Sequence, residues 1–120
     1  MKVICRKIIS PVTLLEVGTG PWAVVGQEYS VLAVSISSSG ACWLRILDDD
    51  GTPILLISKM FESVSTTIPP NWSLLVRQDG NIDICPRSWQ RAGFWEDFFE
   101  RRPNAIRDFE EQLAISRQYA

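Results

Sequence analysis

The sequence predicts an α+β domain that is mainly β: an antiparallel meander over residues 25–86, followed by a helical tail over 87–118 packed on it. Three observations carry this reading. Between 25 and 86, runs rich in Val, Ile and Leu alternate between two faces and are each closed by Gly, Pro, Asn, Asp or Ser. Asp50–Gly51 and Asp79–Gly80 have the chemistry of tight hairpin turns. After Pro86 the apolar spacing changes from two to three and four, the period of a helix. At 120 residues, 46% hydrophobic and 22% charged, the chain suits a single domain, 1–120.

The elements follow in order. "KVICRKI" (2–8) alternates Val3, Cys5 and Lys7 against Ile4, Arg6 and Ile8, as a short strand does. Residues 10–25 are broken by Pro11, Gly18, Gly20 and Pro21, and read as a long irregular loop anchored by Leu14, Leu15, Val17 and Trp22. "VGQEYSVLAVSISS" (25–38) is rich in β-branched residues and reads as a strand. In "ACWLRILDDDG" (41–51), Cys42, Leu44 and Ile46 share one face and Trp43, Arg45 and Leu47 the other, before the Asp48–Gly51 turn. "TPILLISKMFESV" (52–64) returns as a third strand, with Pro53 at its start and a bend at Ser58–Lys59. "TTIPPNW" (66–72) is a turn, and 71–86 is a hairpin about Asp79–Gly80.

In the tail, 86–93 suits one helical turn ended by Gly93. "FWEDFFER" (94–101) pairs Phe94 with Phe98 and Trp95 with Phe99 at i, i+4. Pro103 opens a second helix with Ile106, Phe109 and Leu113 on one stripe. So short a first helix needs a surface to pack on. The aromatics of 94–99 are therefore expected to cover the sheet, with Trp95, Phe98 and Phe99 buried. A base-stacking or lipid-binding helix would carry basic residues between its aromatics, and this one carries Glu96 and Asp97.

Charge and composition exclude several chemistries. The chain has no histidine, so Ser–His and Cys–His catalysis are ruled out. Cys5, Cys42 and Cys85 are too far apart for a Cys-x-x-Cys metal site and read as buried thiols in a reducing compartment. No catalytic, cofactor-binding or metal-binding residue is assigned, no cofactor is expected, and the chain is not read as an enzyme. The longest apolar runs are too short for a membrane span, and the charged "MKVICRKIIS" is not a signal peptide. A cytoplasmic location follows as the expectation. Formal net charge is -2, split as +2 over residues 1–46 and -4 over 47–120. The second half is therefore suited to a basic partner rather than to nucleic acid.

The strand order resembles an SH3-like small barrel. "VGQEYSVLAV" looks like the opening of such a barrel, with its Gly-x-x-Tyr-x-Val stretch, and "RILDDDGTPILL" looks like its central hairpin. The run from "GQEYSVLAV" through "RILDDDGTP", "FESV", "IPPNW", "P-x-x-W" and "GFWEDFF", roughly residues 22–113, is similar to small bacterial proteins of toxin–immunity and prophage loci. Among these are immunity proteins that protect a cell from contact-dependent or other polymorphic toxins. The resemblance implies a cytoplasmic protein that binds and neutralises a cognate toxin, with Trp72, Trp89 and Trp95 structural.

The partner expected is a basic toxin protein, with no nucleic acid and no membrane; the oligomeric state is left open. Its candidate docking residues are Asp48, Asp49 and Asp50 at the hairpin tip and Glu96, Asp97 and Glu100 on the aromatic helix. The bland alternatives are a solvated turn and a solvated helix face. The tip lacks the spaced ligands and later bidentate Glu of a calcium loop. The competing function is a nucleic-acid-binding SH3-like module of a prophage or mobile locus. It would have to draw its basic stripe from Lys2, Arg6, Lys7 and Arg45.

Overall fold

A computed structural model describes residues 1–119. Its elements run β1 (Lys2–Cys5), β2 (Ile8–Ile9), β3 (Glu16–Val17), β4 (Glu28–Ile36), β5 (Cys42–Leu47), β6 (Pro53–Ile57), β7 (Phe61–Ser65), β8 (Trp72–Val76), β9 (Ile82–Pro86), α1 (Phe94–Phe99) and α2 (Pro103–Arg117). Short 3-10 turns lie at Ser58–Met60 and Arg87–Trp89. The architecture is α+β and mainly β, with antiparallel ladders and two C-terminal α-helices. Among the described residues, no helix is long and apolar enough to cross a membrane.

The long strand β4 organises the sheet. It pairs with β5 along Val31–Ile36, with β1 along Glu28–Ser30, and with β9 along Val34–Ile36. The ladder then runs β6-β5-β4-β1-β7, and the β8–β9 hairpin attaches to β4 through β9. This differs from a simple meander over 25–86. Segment 66–71 contains Pro69 and Pro70, which have no N–H to give to a ladder, and it takes the chain across to β4 instead of leaving β8 beside β6.

The sheet does not close into the barrel that was expected. Its path ends at β6 and at β7, with no ladder between them among the described residues. A bend at Ser58–Met60 separates the two edge strands. It turns the chain out of β6 so that β7 lies beside β1, with Cys5 opposite Phe61. Met60 is fully buried at this corner, and its carbonyl accepts the Arg6 N–H at 2.8 Å.

Each face of β4 buries a separate apolar cluster. Val3, Cys5, Tyr29, Val31, Leu44, Ile46, Leu56 and Met60 belong to the first, together with Ile8, Ile9 and Trp72. Leu32 and Ala33 belong to the second, with Cys85, Trp89, Phe94, Ala105 and Phe109. Two successive residues face the same way because the strand bulges there. Val31 pairs with Ile46 and Ala33 with Arg45, so Leu32 has no partner of its own. Burying Leu32, Ile46 or Leu56 contributes about 1.5–3 kcal/mol each.

The helices cap the second cluster. Trp89 stacks on Phe109 at 5.0 Å and on Phe94 at 6.1 Å, and its indole N–H donates to the Asp108 carbonyl. Phe98 reaches Phe109 at 4.5 Å. The aromatic helix is thus part of a core, but not all of it is hidden. Phe94 is the fully buried member, Trp95 and Phe98 are half-buried, and Phe99, expected inside, is 51% exposed. With six residues, α1 has too few turns to bring all four rings onto one surface.

Candidate functional site

The segment read as an irregular loop is an ordered arm. Ile8 pairs with Val17 and Ile9 with Glu16, making a two-rung hairpin. Its bend is built on Ser10, which is buried. The Ser10 hydroxyl accepts the N–H groups of Val12 and Thr13, its carbonyl accepts Leu14 N–H at 2.9 Å, and its own N–H donates to the Leu15 carbonyl. The result is an arm that turns Val12, Leu14 and Leu15 outward, with Val12 85% exposed. Leu14, Leu15 and Val17 are therefore not anchors, because the local bonds to Ser10 fold the bend on itself and away from the core. Leu14 also holds φ +60, a left-handed conformation that costs a non-glycine residue of order 1 kcal/mol and that collects at functional sites.

Next to the arm lies the corner at Val24 and Val25, both about half exposed. Ile8 at the arm's base, the Gly18–Gly20 loop and Ala23–Val25 border one shallow apolar depression. The corner is pinned by Val24 N–H donating to the Tyr29 hydroxyl at 2.9 Å and by Gly26 N–H donating to the Cys5 carbonyl. Gly26 has φ +90, which its lack of a side chain permits. Burial pushes the Tyr29 phenol above its ordinary pKa, and the nearby Asp49 and Asp48 carboxylates add to the push.

The three aspartates of the tip have different roles. Asp48 is structural: its Oδ1 accepts the N–H groups of Asp50 and Thr52 at 2.9 and 2.8 Å, holding the turn. Asp49 accepts a hydrogen bond from the Gln27 side chain. Asp50 is exposed. Gln27 thereby ties the acidic turn to the Val24–Val25 corner, since Gln27 N–H also donates to the Val24 carbonyl. The base of the arm, the apolar corner and the acidic turn are successive neighbours on one side of the molecule.

The acidic face of α1 is more compensated than the sequence implies. Asp97 pairs with Arg91 at 2.9 Å, and Glu100 lies 3.4 Å from Arg102. Glu96 is exposed. Gly51–Pro53 and the Phe98–Phe99 end of α1 line a common depression of about 290 Å³, but Arg101 stands in it, so a cation interrupts the two acidic groups. Of the residues proposed for a basic stripe, Arg6 pairs with Glu62 at 2.8 Å and Arg45 lies over the Trp95 ring. Among the described residues, no group of three or more Cys, Asp or Glu side chains converges as a metal site.

The arm and the corner were invisible as a site because their backbone bonds to Ser10 and Tyr29 have no local sequence signature. The one legible hint was the density of apolar residues in a stretch too broken by Gly and Pro to be core. No protein-family model, curated protein or solved structure matches the chain.

Proposed function

We propose that the chain is a non-catalytic protein-binding module on an SH3-like sheet, acting as a cytoplasmic immunity protein that neutralises a basic toxin domain. The SH3-like reading draws support from the order β6-β5-β4-β1-β7, from a hairpin arm between β1 and β4, and from a 3-10 turn between β6 and β7. The missing histidine supports the non-catalytic reading.

One observation carries the binding reading: an ordered arm whose Val12, Leu14 and Leu15 lie outside the core, and the exposed Val24–Val25 corner that Gln27 links to an acidic turn. An apolar centre with a charged rim is the anatomy of a transient interface. An ordered arm loses little conformational entropy on docking. A rim of Asp49 and Asp50 gives fast, salt-sensitive association with a basic partner. Asp49 and Asp50 are better suited to this than Asp97 and Glu100, which already face Arg91 and Arg102.

The test is binding to the product of the adjacent reading frame, followed at two salt concentrations. Leu14→Gly removes an exposed side chain and relieves a strained backbone, so thermal stability holds or rises while affinity falls about tenfold or more if Leu14 is an interface anchor. Asp50→Lys slows association and flattens its salt dependence. Wild-type affinity and association rate in both variants would sink the proposed surface. A neighbour that does not bind at all removes the immunity reading.

A further inference from the structure

A second feature lies on the other face of the sheet, away from the arm. Arg45 stands in the middle of β5, opposite Ala33 on β4 and Leu55 on β6. Leu44 and Ile46 on either side of it point into the first cluster, so Arg45 points to the face covered by the helices. There its guanidinium carbon sits 3.9 Å from the centre of the Trp95 ring. It borders a hollow of about 270 Å³ between the sheet and the start of α1.

The other arginines at this hollow are satisfied. Arg77 pairs with Asp83 and donates to the Gln90 carbonyl at 2.9 Å. Arg91 pairs with Asp97. Asp83 is also claimed by the Ser35 hydroxyl at 2.6 Å. Arg45 is the exception: among the described residues it has neither a hydrogen-bond acceptor nor an ion-pair partner, although it is half-buried. Burial lowers its pKa to about 10, and it remains a cation at neutral pH. Its N–H donors have no partner within the protein and stay accessible at this half-buried position, so they are open to an anion that enters the hollow.

We propose that this hollow is a binding site for a small monoanionic carboxylate, with Arg45 holding the carboxylate and the Trp95 and Leu55 side chains flanking its apolar part. The planar fork of a guanidinium matches a carboxylate bidentately. Asp83 and Glu96 also border the hollow, and their charge disfavours a dianion such as phosphate. The volume falls just below the usual range of roughly 300–1,000 Å³ for ligand pockets, which restricts the occupant to a small acid or to one terminal residue of a chain.

Benzoate, inorganic phosphate, and a short peptide made with either a free or an amidated C-terminus are the probes. Binding is read by calorimetry and by the Arg45 Nε–H resonance. Benzoate binds saturably at one site and moves that resonance. Arg45→Gln raises its Kd about tenfold or more, the loss expected for a charge-assisted pair. If the free-ended peptide binds more tightly than benzoate and its amide does not bind, the carboxylate belongs to a polypeptide. If benzoate binds more tightly than the peptide, it belongs to a free acid. Both results uphold the site. The proposal is overturned if no carboxylate saturates, if phosphate binds more tightly than benzoate, or if Arg45→Gln retains wild-type affinity. Should Arg45→Gln fail to fold, Leu55→Trp fills the hollow from the neighbouring strand and leaves Arg45 in place. Full benzoate affinity in that variant overturns the proposal equally.

Discussion

Trp89 should be the residue on which the helical half of the fold depends. It is 2% exposed and touches three other aromatic rings: Phe94, Phe109 and Trp95, the last at 5.7 Å. Its indole N–H is bonded to α2. A buried Trp hides about 150–250 Å², which at about 25 cal/mol per Å² is roughly 4–6 kcal/mol, an upper bound because the unfolded chain is already partly collapsed. Measured Trp and Phe truncations in cores run about 3–5 kcal/mol. Trp89→Ala is therefore expected to cost about 4 kcal/mol, a large share of the stability of an ordinary domain. The loss should also be local at first. Cluster two would lose its central ring, while cluster one, on the opposite face of β4, keeps all its members. Urea unfolding gives the total. Hydrogen exchange resolves its location: amides of α1 and α2 should exchange early, and those of β1, β5 and β7 should stay protected. A cost below about 1.5 kcal/mol, or equal loss of protection in the helices and in β1, would refute the view of Trp89 as the pin between helices and sheet.

Four further outcomes follow from single residues. Ser116, buried near the end of α2, accepts the Trp72 indole N–H at 3.2 Å and an Asn71 amide bond; Ser116→Ala leaves the Trp72 indole N–H unpaired, while Asn71 keeps Gln112, and should cost about 1–3 kcal/mol by calorimetry. Arg101 ends α1 at φ +61 while Arg102 N–H reaches back to the Asp97 carbonyl and Arg101 N–H to that of Phe98. This is a helix stop that normally takes glycine, so Arg101→Gly should raise stability by about 0.5–1 kcal/mol. Burial pushes the Cys85 thiol from its ordinary 9.0 up to about 12. Between those values the unfolded chain has lost this proton and the folded chain keeps it, so the Cys85 contribution to stability falls as pH rises from 9 towards 12 and is constant below 9. A thiol reagent at pH 8 should accordingly modify the half-buried Cys42 first, and reach Cys5 and Cys85 only on unfolding.

Local chemistry was legible wherever it decided the structure. Strands 28–36, 42–47, 53–57, 72–76 and 82–86 fall within the alternating runs, and Pro103 does begin a helix. Gly51 and Gly80 take positive φ in the two Asp-Gly turns. What could not be read is the pairing of distant segments. That Cys5 meets Phe61, or that β9 returns to β4, depends on which edges remain free once the first hairpin has formed. The same holds for both sites. The isolation of Arg45 emerges only when Asp83 is seen to be taken by Arg77 and Ser35, and Asp97 by Arg91. Only the Asp48–Gly51 turn was a local matter, and there the Asp48 carboxylate accepts the backbone N–H groups that close it.

One stretch of the sequence demands cover on both faces of a strand. "VLAV" (31–34) places four apolar residues in succession in a strand. A strand with one face in water should alternate, so an unbroken run demands cover on both faces. The structure meets that demand at Val31, Leu32 and Ala33, which are all buried, two of them turned the same way by the bulge. The helices are therefore required by β4 as much as β4 is required by the aromatics of α1. The adjoining strand shows the consequence: Leu44 and Ile46 face one cluster, while Arg45 between them, under the same helical cover, is left as a half-buried charge. A replacement of Leu32 by a polar residue should therefore loosen α1 and α2 before it disturbs β5 and β6. Such an order of events would tie the Arg45 hollow to the second cluster, and simultaneous loss of both faces would break that tie.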